Sequence, residues 1–271
     1  MSRHTVIGAR GFIGSRLAAA LKARDLAVYE PARGDVELLS RDLGVVFYCA
    51  GLTGDFATRP FDTVDAHVGL LGQVLRAGRF ERLVYLSSTR VYDSLGADGG
   101  REDDVLRFDV AAPRNVYDLS KALGENLTLA RSEGRGVVAR LANVFDWSED
   151  AGGFLSDVLK RARCEREIKL ASSPKAGRDY IHVDDVIAAL LRLGERGEGI
   201  FNLASGRTLS NADLGEIMHA AGWTLTLTGA GAGAAHSPVC DVSRLKALGI
   251  APRDPRLLIE AALRSPGFFT G

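Results

Sequence analysis

The stretch His4 to Gly14 reads His-Thr-Val-Ile-Gly-Ala-Arg-Gly-Phe-Ile-Gly, with glycines at 8, 11 and 14 between an apolar run, Thr5 to Ile7, and the helical pattern Ser15 to Ala23. The chain has 31 glycines, so the spacing alone is weak, and the strand–turn–helix setting carries the signal. Gly8 allows a tight turn, Gly11 a close backbone approach to a pyrophosphate, and Gly14 the packing of helix on strand. The N–H groups at the helix start, where Phe12 and Ile13 stand, are presented to the anion. The stretch therefore predicts a dinucleotide-binding strand–turn–helix.

Working outward, strand-length apolar runs at 27–30, 45–49, 82–87 and 137–141 alternate with helical patterns over Asp62 to Ala77 and Val116 to Arg131. Alternation of this kind predicts βαβ units and an α/β fold with a doubly wound parallel sheet of Rossmann type. The run Val-Val-Phe-Tyr-Cys-Ala, Val45 to Ala50, lacks polar alternation, as expected of a strand covered on both faces. The connection from Glu30 to Val45 is too short for a crossover helix of its own. After Asn143 the pattern changes to shorter helices at Phe154 to Ala162 and Asn211 to Ala221, with a Gly/Ala loop from Thr228 to Ala235. The predicted organisation is a dinucleotide-binding domain over 1–142, completed by 178–203. A small C-terminal α/β substrate-binding subdomain takes 143–177 and 204–271. The Asp/Gly-rich span Asp93 to Asp104 reads as a mobile surface loop near the mouth of the site.

Composition narrows the partners. Thirty-four basic and thirty-four acidic residues cancel, with no long basic block, which argues against nucleic acid and anionic membrane surfaces. The first strand begins by Thr5, no run approaches a membrane span, and a cytoplasmic protein is expected. Three cysteines without Cys-x-x-Cys spacing and five scattered histidines argue against a disulfide framework and against a metal site.

The segment Asn-Val-Tyr-Asp-Leu-Ser-Lys, 115–121, carries Tyr117 and Lys121 one helical turn apart on the same face. An ammonium beside a phenol lowers the phenol's pKa and suits it to exchange a proton with a substrate hydroxyl.

Together with Leu-Ser-Ser-Thr-Arg-Val-Tyr at 86–92, Arg-Leu-Ala-Asn at 140–143, Arg-Asp-Tyr-Ile-His-Val-Asp-Asp-Val at 178–186 and Phe-Asn-Leu-Ala-Ser-Gly at 201–206, this pair gives the chain its resemblance. Over nearly its whole length it resembles the extended short-chain dehydrogenases/reductases, the nucleotide-sugar epimerase/dehydratase enzymes. The resemblance implies that Ser88 holds the reacting oxygen against Tyr117, that Tyr117 is the proton acceptor or donor, and that Lys121 holds the nicotinamide ribose. Ala50 joins the cofactor contacts, and Thr89, Asn143 and Arg178 join Ser88 on the substrate side, with Arg178 as a diphosphate ligand. Bland alternatives are a pairing of Arg178 with Asp184 or Asp185, and His182 as a packing residue.

Several departures inform. The span from Asn143 to Arg178 is short, and His236 to Cys240 stands where a second phosphate arginine is usual, so a smaller sugar, a sugar phosphate or another hydroxy or keto compound is admitted. His67 replaces a mainly structural asparagine. Thr89 and Arg90 replace the Asp-Glu pair of the 4,6-dehydratases, which disfavours that activity. Counting from Gly14, the ribose-reading position falls on Ala32, with Arg33 next, which favours NADP; a slip of two would make Glu30 the ligand and favour NAD. The expected activity is an NAD(P)-dependent epimerase or dehydrogenase/reductase on a sugar-like hydroxyl or ketone. The alternative is a catalytically silent dinucleotide sensor. A homodimer through helices 62–77 and 116–131 is also implied.

Overall fold

A computed structural model describes residues 3–229 and 238–265. In chain order, the first half holds β1 (Arg3–Ile7), α1 (Phe12–Lys22), β2 (Ala27–Tyr29), β3 (Val45–Tyr48), α2 (Pro60–Val64), α3 (Leu70–Ala77), β4 (Arg82–Ser88), α4 (Asn115–Arg131) and β5 (Gly136–Leu141). The second half adds β6 (Asn143–Phe145), α5 (Phe154–Cys164), β7 (Glu167–Leu170), β8 (Gly177–His182), α6 (Val183–Arg196) and β9 (Gly199–Leu203). It closes with β10 (Thr208–Ser210), α7 (Asn211–Ala220), β11 (Thr224–Leu227), α8 (Ser243–Ala247) and α9 (Pro255–Arg264).

Six of these strands form one sheet in the order β2-β1-β3-β4-β5-β9, with every neighbouring pair parallel. Every residue of β3 and β5 is buried, because helices cover both faces. Leu17 and Leu21 of α1 pack with Ile187 and Leu190 of α6 on one face, and Leu71 and Val74 of α3 pack on the other. Beside α3, helix α4 comes so close to β4 that a methyl on Gly124 would overlap the Tyr85 hydroxyl. The sheet is thus doubly wound, and its order reverses direction between β1 and β3. A crevice opens there at the carboxyl ends of the strands. No helix links β2 to β3, as the short connection requires.

The smaller part pairs β8 with β6 in parallel and with β10 in antiparallel, and β7 with β11 in parallel. Its core is separate, gathering Phe145, Leu155, Leu159, Ile217, Met218 and Trp223. Trp223 is buried and its indole N–H donates to the Ala162 carbonyl at 2.8 Å.

Four expectations need correction. The helix expected over Asp62 to Ala77 starts at Pro60 and is broken by a π-helical turn, Asp65–Gly69, whose extra residue turns His67 inward. The span Asp93 to Asp104 is no free loop: Glu102 is buried and accepts from the Asn202 N–H at 3.0 Å, and the Asn202 amide donates to Gly100 at 2.8 Å. The span 178–203 is split, since β8 belongs to the small sheet and only β9, with α6 against it, completes the large one. Cys240, Val242 and Leu245, expected with the subdomain, pack into the core of the large sheet. Most of the Gly/Ala stretch, 230–235, and His236 and Ser237 lie outside the described residues.

Candidate active site

The glycine turn sits at the switch point. Gly8 has φ +89°, and a Cβ there would meet the Ala50 nitrogen at 2.7 Å, so β1 and β3 leave the sheet side by side. A methyl on Gly14 would overlap the Gly8 carbonyl oxygen, so that glycine sets how closely α1 meets β1. Gly11 differs: a Cβ there would touch only the Gly8 oxygen, at 3.4 Å, an ordinary contact. The fold does not need a glycine at 11, but a close external ligand would. Gly11 is also the N-cap of α1, with no side-chain cap and no acidic residue in the first turn. The N–H groups of Phe12, Ile13 and Gly14, which precede the first intrahelical bond from Ser15 to Gly11, are therefore available to an anion, and the turn fits a dinucleotide pyrophosphate.

Sequence reasoning missed what fixes this turn from outside. Arg16 donates to Asp146, Ser148 and Asp150 at 2.6–3.1 Å, tying α1 to the loop after β6. At the end of β2, Glu30 is ion-paired with Lys22, while Ala32 and Arg33 are exposed.

Across the crevice, Tyr117 and Lys121 lie on the buried face of α4, each 4% exposed. Burial holds the Tyr117 phenol above its ordinary pKa, and the neighbouring Ser88 hydroxyl and the charge of Arg90 pull it back. Lys121 stands farther from the ring. The Lys121 ammonium donates to the Leu86 carbonyl at 2.8 Å and stands 6.0 Å from the Tyr117 ring centroid, and burial lowers its pKa to about 7. Arg90, expected only as a departure from a dehydratase motif, brings a second cation to the phenol, with its Cζ 4.8 Å from the ring centroid. Ser88 ends β4, and its hydroxyl accepts from the Arg90 N–H at 3.3 Å.

His67 lies beneath this pair, its ring edge-on to Tyr117 at 5.1 Å. Ser120 donates its hydroxyl proton to the Tyr117 carbonyl at 2.9 Å, so its oxygen accepts from His67 Nδ1 at 2.8 Å. Burial lowers the imidazole pKa to about 3, so the ring stays neutral. A Cβ on Gly51 would stand 3.2 Å from His67 Nε2 and 3.3 Å from Lys121 Nζ, and His67 thus packs beneath the site.

A buried network steadies the segment that carries Ser88, Thr89 and Arg90. Glu125 accepts from Ser87 at 2.5 Å and from Arg140 at 3.0 and 2.7 Å. Arg140 also donates to the Tyr92 hydroxyl at 2.7 Å, which donates to Asn202 at 2.8 Å. A buried ion pair is strongly costly to break one partner at a time, and this one joins three of the quoted motifs. Phe56, also missed from sequence, stands 5.2 Å from the Tyr117 ring.

On the substrate side, Asn143 and Arg178 lie on adjacent strands, with Asn143 opposite Tyr180, so all three share one face of the small sheet. The Asn143 amide donates to the Asp179 carbonyl at 3.0 Å. Arg178 lies 5.5 Å from the Phe154 ring centroid, and its charge works against the burial that raises the Tyr180 phenol's pKa. It does not pair with Asp184 or Asp185, both of which form ion pairs with Arg253. His182 packs between Phe145 and Trp147, and its Nδ1 accepts from the Asp184 N–H. Thr89 reaches the Cys240 thiol.

A parallel sheet wound on both faces, with a glycine cradle at its switch point, defines a dinucleotide-binding α/β fold. The chain belongs to the NAD dependent epimerase/dehydratase family, whose model matches residues 4–204. It is 30% identical to a GDP-6-deoxy-D-mannose reductase of Pseudomonas aeruginosa over 242 residues, covering 79% of this chain and 78% of that one. It is 26% identical to a dTDP-4-dehydro-6-deoxy-D-allose reductase of Streptomyces bikiniensis over 259 residues, with 79% of each covered. The fold matches a solved structure of MoeE5 in complex with UDP-glucuronic acid and NAD, with a TM-score of 0.76, 24% identity and 96% of each chain covered.

Proposed function

We propose that the protein is an NAD(P)-dependent reductase or epimerase acting at a hydroxyl or ketone of a sugar carried on a nucleoside diphosphate. The observation that carries the reading is the convergence of Ser88, Tyr117 and Lys121 beside the Gly8–Ala50 contact, at the crevice where a dinucleotide binds. A bound nicotinamide supplies or accepts the hydride. Ser88 orients the substrate oxygen, and Tyr117 moves its proton. Lys121 has donors to spare beyond Leu86 for a ribose hydroxyl. Asn143 and Arg178 take the substrate's phosphates, and the reductase names of the two relatives support a keto sugar. A 4,6-dehydratase activity is disfavoured, because Arg90 is a cation where that chemistry needs an acid. A silent sensor has no use for a buried tyrosine and lysine facing the crevice.

The division into a dinucleotide unit, 1–142 with α6, β9 and the segment from Cys240 to Leu245, and a substrate unit gathered around Phe145, Leu159 and Trp223 is supported by their separate cores. NADP is the favoured cofactor. The β1–β2 register pairs Thr5 with Tyr29, and continued upward it sets Ala32 beside Gly8, while Glu30 falls lower and is held by Lys22. No acid then repels a 2′-phosphate, and Arg33 attracts one. A homodimer through the helices over 62–77 and 116–131 is supported by exposed apolar side chains on α2 and α4, with Phe61 85%, Val64 40% and Leu123 49% exposed. Cys49, Cys164 and Cys240 are free thiols, which suits a reducing cytoplasm. No helix among the described residues is long and apolar enough to cross a membrane.

Native mass spectrometry of the purified protein, followed by assay against a panel of nucleoside-diphosphate keto sugars with each cofactor, tests the reading. Tightly held NAD with isomerised sugar marks an epimerase, and stoichiometric oxidation of NADPH marks a reductase. Turnover of neither kind across the panel refutes it.

A further inference from the structure

We propose that Arg90 acts through Tyr117: its guanidinium, laid against the tyrosine ring, holds the phenolate that takes the substrate's hydroxyl proton. The inference rests on Tyr117 being the acid–base group. Arg90 Cζ lies 4.8 Å from the Tyr117 ring centroid and 4.8 Å from that of Phe56, and the two rings stand 5.2 Å apart. Two aromatic faces thus place the cation. When the phenol ionises, negative charge spreads into one of those faces, and the attraction grows with the charge it stabilises.

The guanidinium also has no hydrogen-bonded carboxylate partner, only a longer ion pair with Asp118. Its Nε is buried and has no hydrogen-bond partner. The nearest carboxylate oxygen, on Asp118, is 3.8 Å away, beyond hydrogen-bonding distance, and Arg114 also draws on that carboxylate, at 3.9 Å. Tyr117 is faced by Ser88 and Arg90 from the segment after β4, Tyr85 from β4, His67 from the π-helical turn, and Asp118 and Lys121 from α4. Tyr85 and His67 are held neutral by burial, and the Lys121 ammonium is farther off, 6.0 Å from the ring centroid, with its pKa lowered by burial to about 7. Arg90 is therefore the permanent positive charge against the ring.

The proton balance is simple. In the oxidising direction the substrate carbon gives its hydride to the nicotinamide, its O–H proton passes to the Tyr117 oxygen, and the C–O bond becomes C=O. Reduction runs the same transfers backwards. A cation at Arg90 favours the deprotonated tyrosine that begins the first direction, and its loss makes that form scarcer.

The test labels tyrosine Cζ with carbon-13 and follows the Tyr117 resonance, identified by its loss in Tyr117→Phe, through a pH titration of wild type, Arg90→Met and Arg90→Lys. Arg90→Met should raise the Tyr117 midpoint by about one pH unit, roughly tenfold in acidity, and Arg90→Lys by less. The acid limb of the kcat profile for oxidation should move by the same amount. An unmoved midpoint in a folded variant, or a rate that falls equally at every pH, overturns the proposal. Arg90→Gln, which keeps length and polarity without charge, replaces Arg90→Met if circular dichroism shows that variant to be misfolded. Failure of the underlying reading looks different: Tyr117→Phe then keeps its activity, whatever the titration shows.

Discussion

The carboxyl edge of the large sheet and the face of the small sheet present the two halves of the site in opposite ways. At the large sheet each group is fixed by protein: Tyr117 and Lys121 are 4% exposed, and Gly8, Gly14 and Gly124 are required by backbone or side-chain neighbours. At the small sheet Asn143 is exposed and Arg178 half-buried, held by a single hydrogen bond and a ring. On the proposed function, the contrast teaches that the redox half stands built before any ligand arrives, whereas the substrate half waits on its substrate for partners. Preorganised charge serves the reacting atoms, and adaptable side chains serve recognition.

The largest effect should come from the built half. Tyr117→Phe removes one oxygen from a packed ring, so fold and cofactor binding should persist while kcat falls roughly a hundredfold to ten-thousandfold. Steady-state assay with a thermal melt checks both, and activity within a factor of a few of wild type would remove Tyr117 from its role. The open half should respond through binding. Arg178→Ala should raise KM roughly tenfold to a hundredfold, the value of charge-assisted hydrogen bonds to phosphate, with kcat little changed. A kcat loss of the same size would mean that Arg178 belongs to the reacting centre and would break the comparison.

Within the glycine turn the contrast sharpens to single positions. Gly14→Ala should lower the Tm of the cofactor-free protein by about 3 to 10 °C, since overpacking costs about 1–3 kcal/mol in a chain of this size. Gly11→Ala should leave that Tm within about a degree, yet weaken dinucleotide binding in calorimetric titration. Equal melting losses in both variants would show that Gly11 serves the fold alone. Arg33→Ala should weaken NADP binding by roughly tenfold and leave NAD binding nearly unchanged. Tighter binding of NAD by the wild type would instead put Glu30 at the ribose.

The smallest effect is a pH dependence beside Tyr117. Burial raises the Asp118 carboxyl to about 6, against the opposing charges of Arg90 and Arg114. A carboxyl whose folded pKa is raised binds its proton more tightly in the native state. Its contribution to stability is therefore full below about pH 4 and lost as pH rises through about 6. Urea unfolding of wild type and Asp118→Asn from pH 4 to 7.5 should show the wild type losing ground to the variant with rising pH. A constant gap would mean that Asp118 titrates as an exposed carboxyl does.

The redox half was legible and the substrate half largely was not. Gly8, Gly14, Tyr117 and Lys121 are marked by local spacing, because a turn and a helix face are each set by residues close in sequence, whereas Ser88 was named only by the family resemblance of its motif. Asn143 and Arg178 share a face only because β6 pairs with β8, and no local spacing foretells that pairing. The contacts of Arg16 with Asp146, of Glu125 with Arg140 and of Phe56 with Tyr117 leave no local mark either, since each pair meets only after the fold has brought separate segments together.

By itself the sequence determined the parallel sheet, the glycine cradle and the Tyr117–Lys121 face, since buried strands, tight turns and one-turn helical spacing leave their marks in neighbouring residues. Only the tertiary structure decided which charge meets the phenol. Lys121 shares a helix with Tyr117, but its nitrogen is drawn to the Leu86 carbonyl; Arg90, from another element, is set against the ring by Phe56. Likewise β8 reads as part of the large sheet until β6 and β10 claim its edges. Electrostatic contact and strand pairing depend on distance in space, which neighbouring residues in the chain do not encode.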